Sequence, residues 1–301
     1  MNGHDDILIG TLVPAHDRSP EIISQLLPHG FESFQLAFGG SGGNLDHAPF
    51  AERVRRALDA GPTAPAGRPR VISAIGVYGN PLVSPETVRD WERLIDAAGS
   101  FGCEVVSGFA GRGGARPVPE ALPRVRGVVG ELSKRAEDRG VRLALENCPK
   151  GGDWQRGDWN IAHAPRAWEM LFAEVTSPVL GLEWEPCHQI ESMIDPIAQL
   201  RRWTARIWHV HGKDATVNWD VLREHGLRGG VPWMHHRTPG FGDTNWTDVI
   251  SILRMAGWRG AIDIEGFHDP VYRDRLETTG RVAALRYLLR CRGGSFLENV
   301  W

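Results

Sequence analysis

Eight short apolar segments recur along the 301-residue chain, and amphipathic stretches separate them from end to end. The apolar segments are residues 8–12, 33–38, 70–77, 104–108, 142–146, 180–185, 207–213 and 261–266, each of strand length. Helical periodicity fills gaps between them, including 84–100, 119–139, 164–173, 195–204, 246–256 and 272–289. Uninterrupted β/α alternation means a parallel sheet with helices packed outside it. Eight units favour closure into a (β/α)8 (TIM) barrel over an open doubly wound sheet. No linker or composition shift divides the chain, so residues 1–301 read as one domain.

Local chemistry supports several of these boundaries. Ser84-Pro85-Glu86 is a capping serine followed by proline in the first helical turn, and Gly140 sits where a helix should stop. No GxGxxG motif follows the first strand, which removes the main argument for a dinucleotide-binding fold. Gly39-Gly40-Ser41-Gly42-Gly43 follows the second strand without the Lys-Ser/Thr of a phosphate loop, and reads as a flexible active-site loop. Residues 215–245, rich in Trp, His, Arg and Gly, read as a long connection emerging on the barrel's catalytic face.

Composition narrows the function. Hydrophobic residues make up 42% and charged residues 24%, as in a soluble globular protein. The net charge of −3 and the lack of a Lys/Arg cluster argue against nucleic acid as a partner. No apolar run approaches a membrane span, and Met1 to Asp6 is unlike a signal peptide, so the expected location is cytoplasmic. Cys103, Cys148, Cys187 and Cys291 form no CxxC pair, which disfavours a zinc knuckle or disulfide framework. Cys148 and Cys187 follow strands that matter below, and read as small fillers beside a site with a ligand role left open. The loop tryptophans Trp154, Trp159, Trp233 and Trp246 are candidates for sugar-stacking platforms.

Chemistry concentrates at the ends of the last four strands. Side chains alternate across a strand, so Leu143 and Leu145 oppose Glu146, and Leu182 and Trp184 oppose Glu183 and Glu185. Trp208 and Val210 likewise oppose His209 and His211, and Ile262 and Ile264 oppose Asp263 and Glu265. The apolar faces must meet the helices, so the acids and histidines point into the barrel. Buried acids are costly unless paired or bound to metal. Three carboxylates and one imidazole would suit Mn²⁺ first, and also Mg²⁺, Co²⁺ or Zn²⁺. Glu183, His209 and Asp263 should form a polar layer one level beneath such a metal.

The chain resembles the xylose isomerase-like TIM-barrel superfamily, the sugar phosphate isomerase/epimerase family. The resemblance rests on Leu145-Glu146-Asn147, Glu185-Pro186-Cys187-His188, His209-Val210-His211-Gly212-Lys213-Asp214, Pro239-Gly240-Phe241-Gly242-Asp243 and Ile264-Glu265, with Gly79-Asn80-Pro81-Leu82 after the third strand. It implies that Glu146, Glu185, His211 and Glu265 ligate one divalent metal ion, and that Glu146 and Glu265 are the catalytic acid/base pair. His188 and Arg237 match positions that touch substrate oxygens, and Lys213 and Trp233 are expected to join them. Glu185 stands where the family usually carries aspartate.

The implied activity is a metal-dependent isomerase or epimerase acting on a sugar or keto sugar. A carboxylate would abstract a proton through a metal-stabilised enediolate. The alternative is a lyase or dehydratase that eliminates a group from a keto sugar, keto-glycoside or inosose. His163, His235 and His236 are candidate proton donors for that reaction. A non-catalytic sugar-binding barrel and a nuclease fit the same residues less well. The expected partners are a small-molecule sugar and further copies of the chain in a dimer or tetramer.

Overall fold

The computed structural model describes residues 6–39, 45–61, 69–114 and 116–300. Most of the glycine-rich loop expected at residues 39–43 lies outside the described residues. The barrel strands are β1 (Ile7–Pro14), β2 (Ser33–Phe38), β3 (Val71–Val77), β4 (Val105–Gly108), β5 (Arg142–Glu146), β6 (Leu180–Trp184), β7 (Ile207–Gly212) and β10 (Gly260–Ile264). They close in the order β1-β10-β7-β6-β5-β4-β3-β2, every pair parallel.

The helices are α1 (Ser19–Leu26), α2 (His47–Ala60), α3 (Pro85–Phe101), α4 (Val118–Arg139), α5 (Pro165–Glu174), α6 (Cys187–Glu191), α7 (Pro196–Trp203), α8 (Trp219–His225), α9 (Trp246–Met255) and α10 (Glu277–Cys291). Their starts and stops follow local chemistry. Ser84 accepts from the Thr87 amide at 3.2 Å to open α3, and Asn245 caps α9 in the same way. Gly140 ends α4 at φ 65°, a left-handed conformation that costs glycine little. The last helix begins at Glu277 rather than at residue 272, because Asp269 accepts from the Val271 and Tyr272 amides and holds that segment in a turn. No helix among the described residues is long and apolar enough to cross a membrane.

Apolar strand residues such as Leu143, Leu145, Leu182, Trp184, Val210, Ile262 and Ile264 are buried in the hydrophobic core. Their polar alternates fill the barrel interior. Gly10 makes room for them, since a Cβ there would lie 2.1 Å from the Asp263 carboxylate.

The connection expected as a long loop at 215–245 is more ordered than its sequence suggests. Asp214–Val217 (β8) pairs antiparallel with Met234–Arg237 (β9), in register from Asp214↔Arg237 to Val217↔Met234. The two strands form a ribbon that carries α8 beyond it. The Asp214 carboxylate locks its base by accepting from the Ala215 and Thr244 amides and from the Trp246 indole. Trp246 is therefore core, fully buried, and not a sugar platform.

Candidate metal centre

The floor of the barrel interior is a closed polar network. His209 donates from Nδ1 to Glu183 at 2.9 Å and from Nε2 to Asp263 at 2.8 Å. The other Glu183 oxygen accepts from the Tyr78 hydroxyl at 2.8 Å, and Gln35 donates to Glu183 at 2.6 Å. Ser33 donates to Asp263 at 2.6 Å and Ser73 donates to its second oxygen. Burial lowers the His209 pKa, but the hydrogen bonds to Asp263 and Glu183 outweigh it and the net shift is upward. The layer expected beneath the metal thus comprises Glu183, His209 and Asp263, with Gln35, Tyr78, Ser33 and Ser73 added from the opposite strands. Those four are neutral polar residues that carried no motif.

One level higher the network opens. Ligand atoms of Glu146, Glu185, His211 and Glu265 all lie within 4.8 Å of one another, and all four residues are buried. Neighbouring strand ends aim them. Asn147 clamps β5 to the segment after β6, donating to the Glu185 carbonyl at 3.0 Å and accepting from its amide at 2.8 Å. Asn160 donates to the Glu146 carbonyl at 2.7 Å. His211 donates from Nε2 to the Gln35 amide oxygen at 2.7 Å, and its Nδ1 is left without a hydrogen-bond partner.

Both Glu185 oxygens, His211 Nδ1 and Glu265 Oε2 are buried without a hydrogen-bond partner. His211 Nδ1 and Glu265 Oε2 stand 3.2 Å apart, and His188 Nε2 and Glu185 Oε1 2.8 Å apart, but neither pair is in hydrogen-bond geometry. Buried oxygens and a ring nitrogen left unpaired in one small volume are costly unless a cation satisfies them together. The donor set fits a divalent metal: three carboxylates and one imidazole whose other nitrogen is held by the Gln35 side-chain amide.

The electrostatics point the same way. Burial lowers the His211 pKa, but Glu183 and then Glu265 overcome it and hold it well above its ordinary value. The carboxylates around the ring favour positive charge there. Burial pushes Glu146 up to about 8, with Glu265 and Glu183 adding to the rise and His211 and Lys213 opposing it. Burial also acts to raise Glu265, but the Lys213 ammonium, 2.6 Å from its carboxylate, and His211 hold it well below the usual range. Two carboxylates at one site are therefore pushed in opposite directions.

A cavity of about 380 Å³ opens above this cluster. Glu146, His211 and Glu265 line its floor, and Tyr78, Phe109 and Phe267 give it apolar walls. His188, Lys213, His236, His268 and Lys150 line it further out. His188 Nδ1 donates to Glu191 at 2.7 Å. Of the residues expected to touch substrate, His188 and Lys213 face the cavity, whereas Trp233 and Arg237 lie outside its lining. Arg237 is bound to Asp269 at 3.3 Å and sits over the Phe241 ring. Trp154 and Trp159 do not line the cavity either, so its aromatic surface is Tyr78, Phe109 and Phe267 rather than loop tryptophan. Among the candidate donors, His236 lines the cavity, while His163 is buried away from its lining and His235 is exposed.

This architecture has known counterparts. The structure of a xylose isomerase-like TIM barrel protein from Mycobacterium smegmatis in complex with magnesium superposes with a TM-score of 0.72 at 15% identity, covering 97% of this chain and 98% of that one.

The structure of the 3-keto-D-glucoside 4-epimerase YcjR from E. coli superposes with a TM-score of 0.68 at 14% identity, covering 93% of this chain and 99% of that one. Among curated sequences, the inosose dehydratase of Clostridium tetani is 32% identical over 110 residues, which is 35% of this chain and 36% of that protein. The chain spans less than half the length of the curated relatives it matches, at 43%, 30% and 36%. The family described as xylose isomerase-like TIM barrel matches residues 23–291. With that match covering most of the closed eight-stranded barrel, the chain belongs to the xylose isomerase-like TIM barrel family.

Proposed function

We propose that this protein is a divalent-metal-dependent isomerase or epimerase acting on a sugar or keto sugar. The observation that carries the reading is the set of unpartnered donors on Glu185, His211 and Glu265, gathered with Glu146 at the floor of the cavity. Glu146, Glu185, His211 and Glu265 would hold the metal. When bound, the metal supplies the positive charge that acidifies a carbon between a carbonyl and a hydroxyl.

The remaining work falls to the chain's own side chains. Glu146, at the cavity floor, takes the proton from that carbon. Glu265, kept ionised by Lys213, serves the opposite transfer. Delivery to the other face of the same carbon is epimerisation, and delivery to the adjacent carbon is aldose–ketose isomerisation. His188 and Lys213 orient the sugar oxygens, and the rings of Tyr78, Phe109 and Phe267 limit water at the reacting carbon. Mn²⁺ suits the oxygen-rich donor set, with Mg²⁺, Co²⁺ and Zn²⁺ as other candidates.

A second reading, elimination from a keto sugar or inosose, is favoured by the cavity's outer wall. Lys150 offers a proton donor to a departing hydroxyl or alkoxide, and the match to an inosose dehydratase accords with it. Incubating the Mn²⁺-loaded protein with keto and aldo sugars in deuterated water, followed by NMR, separates the two. Deuterium in an epimer or isomer supports the first reading, and an unsaturated product supports the second. Neither exchange nor product with any sugar would overturn both.

A further inference from the structure

The cavity wall carries a second group of donors of a different chemical kind. Cys187 and His188 open α6, and His236 approaches from β9. One ligand atom from each lies within 4.8 Å of the others. Cys187 is fully buried and His188 is 5% exposed, while His188 and His236 line the cavity. The proton transfers proposed above need no thiol.

Three features suit this group to a metal. Glu191 accepts from His188 Nδ1 at 2.7 Å, and a carboxylate behind an imidazole is the arrangement that orients a metal-binding histidine. His188 Nε2 and His236 Nδ1 are buried without a hydrogen-bond partner, although Nε2 approaches Glu185 Oε1 at 2.8 Å outside bonding geometry. His268 adds a third imidazole, its ring centre 5.6 Å from that of His236. Its backbone sits at φ 71°, a conformation costly for a residue with a Cβ.

We propose that Cys187, His188 and His236 form a second metal site, for a thiophilic dication of the zinc type, distinct from the carboxylate cluster below. One thiolate and two imidazoles favour such an ion, whereas the oxygen-rich cluster favours a harder one. Zinc–ligand bonds of about 2.0–2.3 Å place tetrahedral donors roughly 3.5 Å apart, a separation within the 4.8 Å limit that these three donors meet. The metal–sulfur bond forms as the thiol proton leaves to solvent, with no change of oxidation state. His268 or water completes the coordination. Because two of the ligands line the cavity, an ion there narrows it and inhibits turnover.

The test uses protein whose carboxylate cluster is saturated with Mn²⁺, titrated with Co²⁺ as a spectroscopic substitute for zinc. The expected result is a thiolate-to-cobalt charge-transfer band that saturates and is displaced by Zn²⁺. Cys187→Ser should abolish the band, and His236→Ala should weaken Co²⁺ binding by at least about tenfold. The carboxylate cluster contains no sulfur and cannot produce the band. Its absence in the wild type, its persistence in Cys187→Ser, or unaltered Co²⁺ affinity in His236→Ala would each overturn the proposal. His236→Ala keeps the test decisive should Cys187→Ser fail to fold.

Discussion

The two polar layers inside the barrel are built from similar residues and end in opposite states. In the lower layer, both oxygens of Glu183, both nitrogens of His209 and both oxygens of Asp263 have partners. In the upper layer, both oxygens of Glu185, one of Glu265 and one nitrogen of His211 have none. A satisfied buried network is a scaffold. An unsatisfied one, held in place by its neighbours, is a receptor for whatever completes it. The lower layer supplies that hold: Glu183 fixes Gln35, and Gln35 fixes the His211 tautomer.

Substitutions in the two layers should therefore differ in size and kind. Glu146→Gln in the upper layer removes the proposed base, and kcat should fall by about 10²–10⁴-fold with the barrel still folded. Steady-state kinetics beside circular dichroism checks this, and a loss under about tenfold would remove Glu146 from the acid/base role. Glu183→Gln in the lower layer should weaken metal affinity by about 10–100-fold through the loosened Gln35–His211 chain. Metal titration of the variant measures it, and unchanged affinity would mean that the layers are uncoupled.

The smallest effect is expected at the ribbon. Arg237 is engaged by Asp269 and lies outside the cavity lining, so Arg237→Ala should lower kcat/KM by less than about tenfold. A fall of about a hundredfold or more, the loss of a charged hydrogen bond in a desolvated site, would mean that the ribbon closes and brings Arg237 to the substrate.

Much of this was legible in the sequence, for a physical reason. Charged residues alternating with apolar ones on strands β5, β6, β7 and β10 are conspicuous, because burial penalises charge. Gln35, Ser33, Ser73 and Tyr78 complete the lower layer from β2, β3 and the residue after β3, yet a neutral polar residue in a strand carries no comparable penalty and so no signal. Glu191 carries no signal in the sequence because its role depends on the short helix α6, which brings it beside His188. In the sequence the ribbon looks like a loop, since each strand has four residues and their pairing spans a long excursion. Arg237 shows the limit of motif transfer: the motif identifies the position, but the Asp269 contact that holds it is not local in sequence.

The most direct test of the central claim is a calorimetric titration of chelator-treated protein with Mn²⁺, which thiolate-rich sites bind poorly. The account predicts one equivalent bound per chain in the wild type, and that equivalent lost in a Glu185→Ala, His211→Ala double variant that still folds. Undiminished binding in the double variant, or no binding in the wild type, would contradict it.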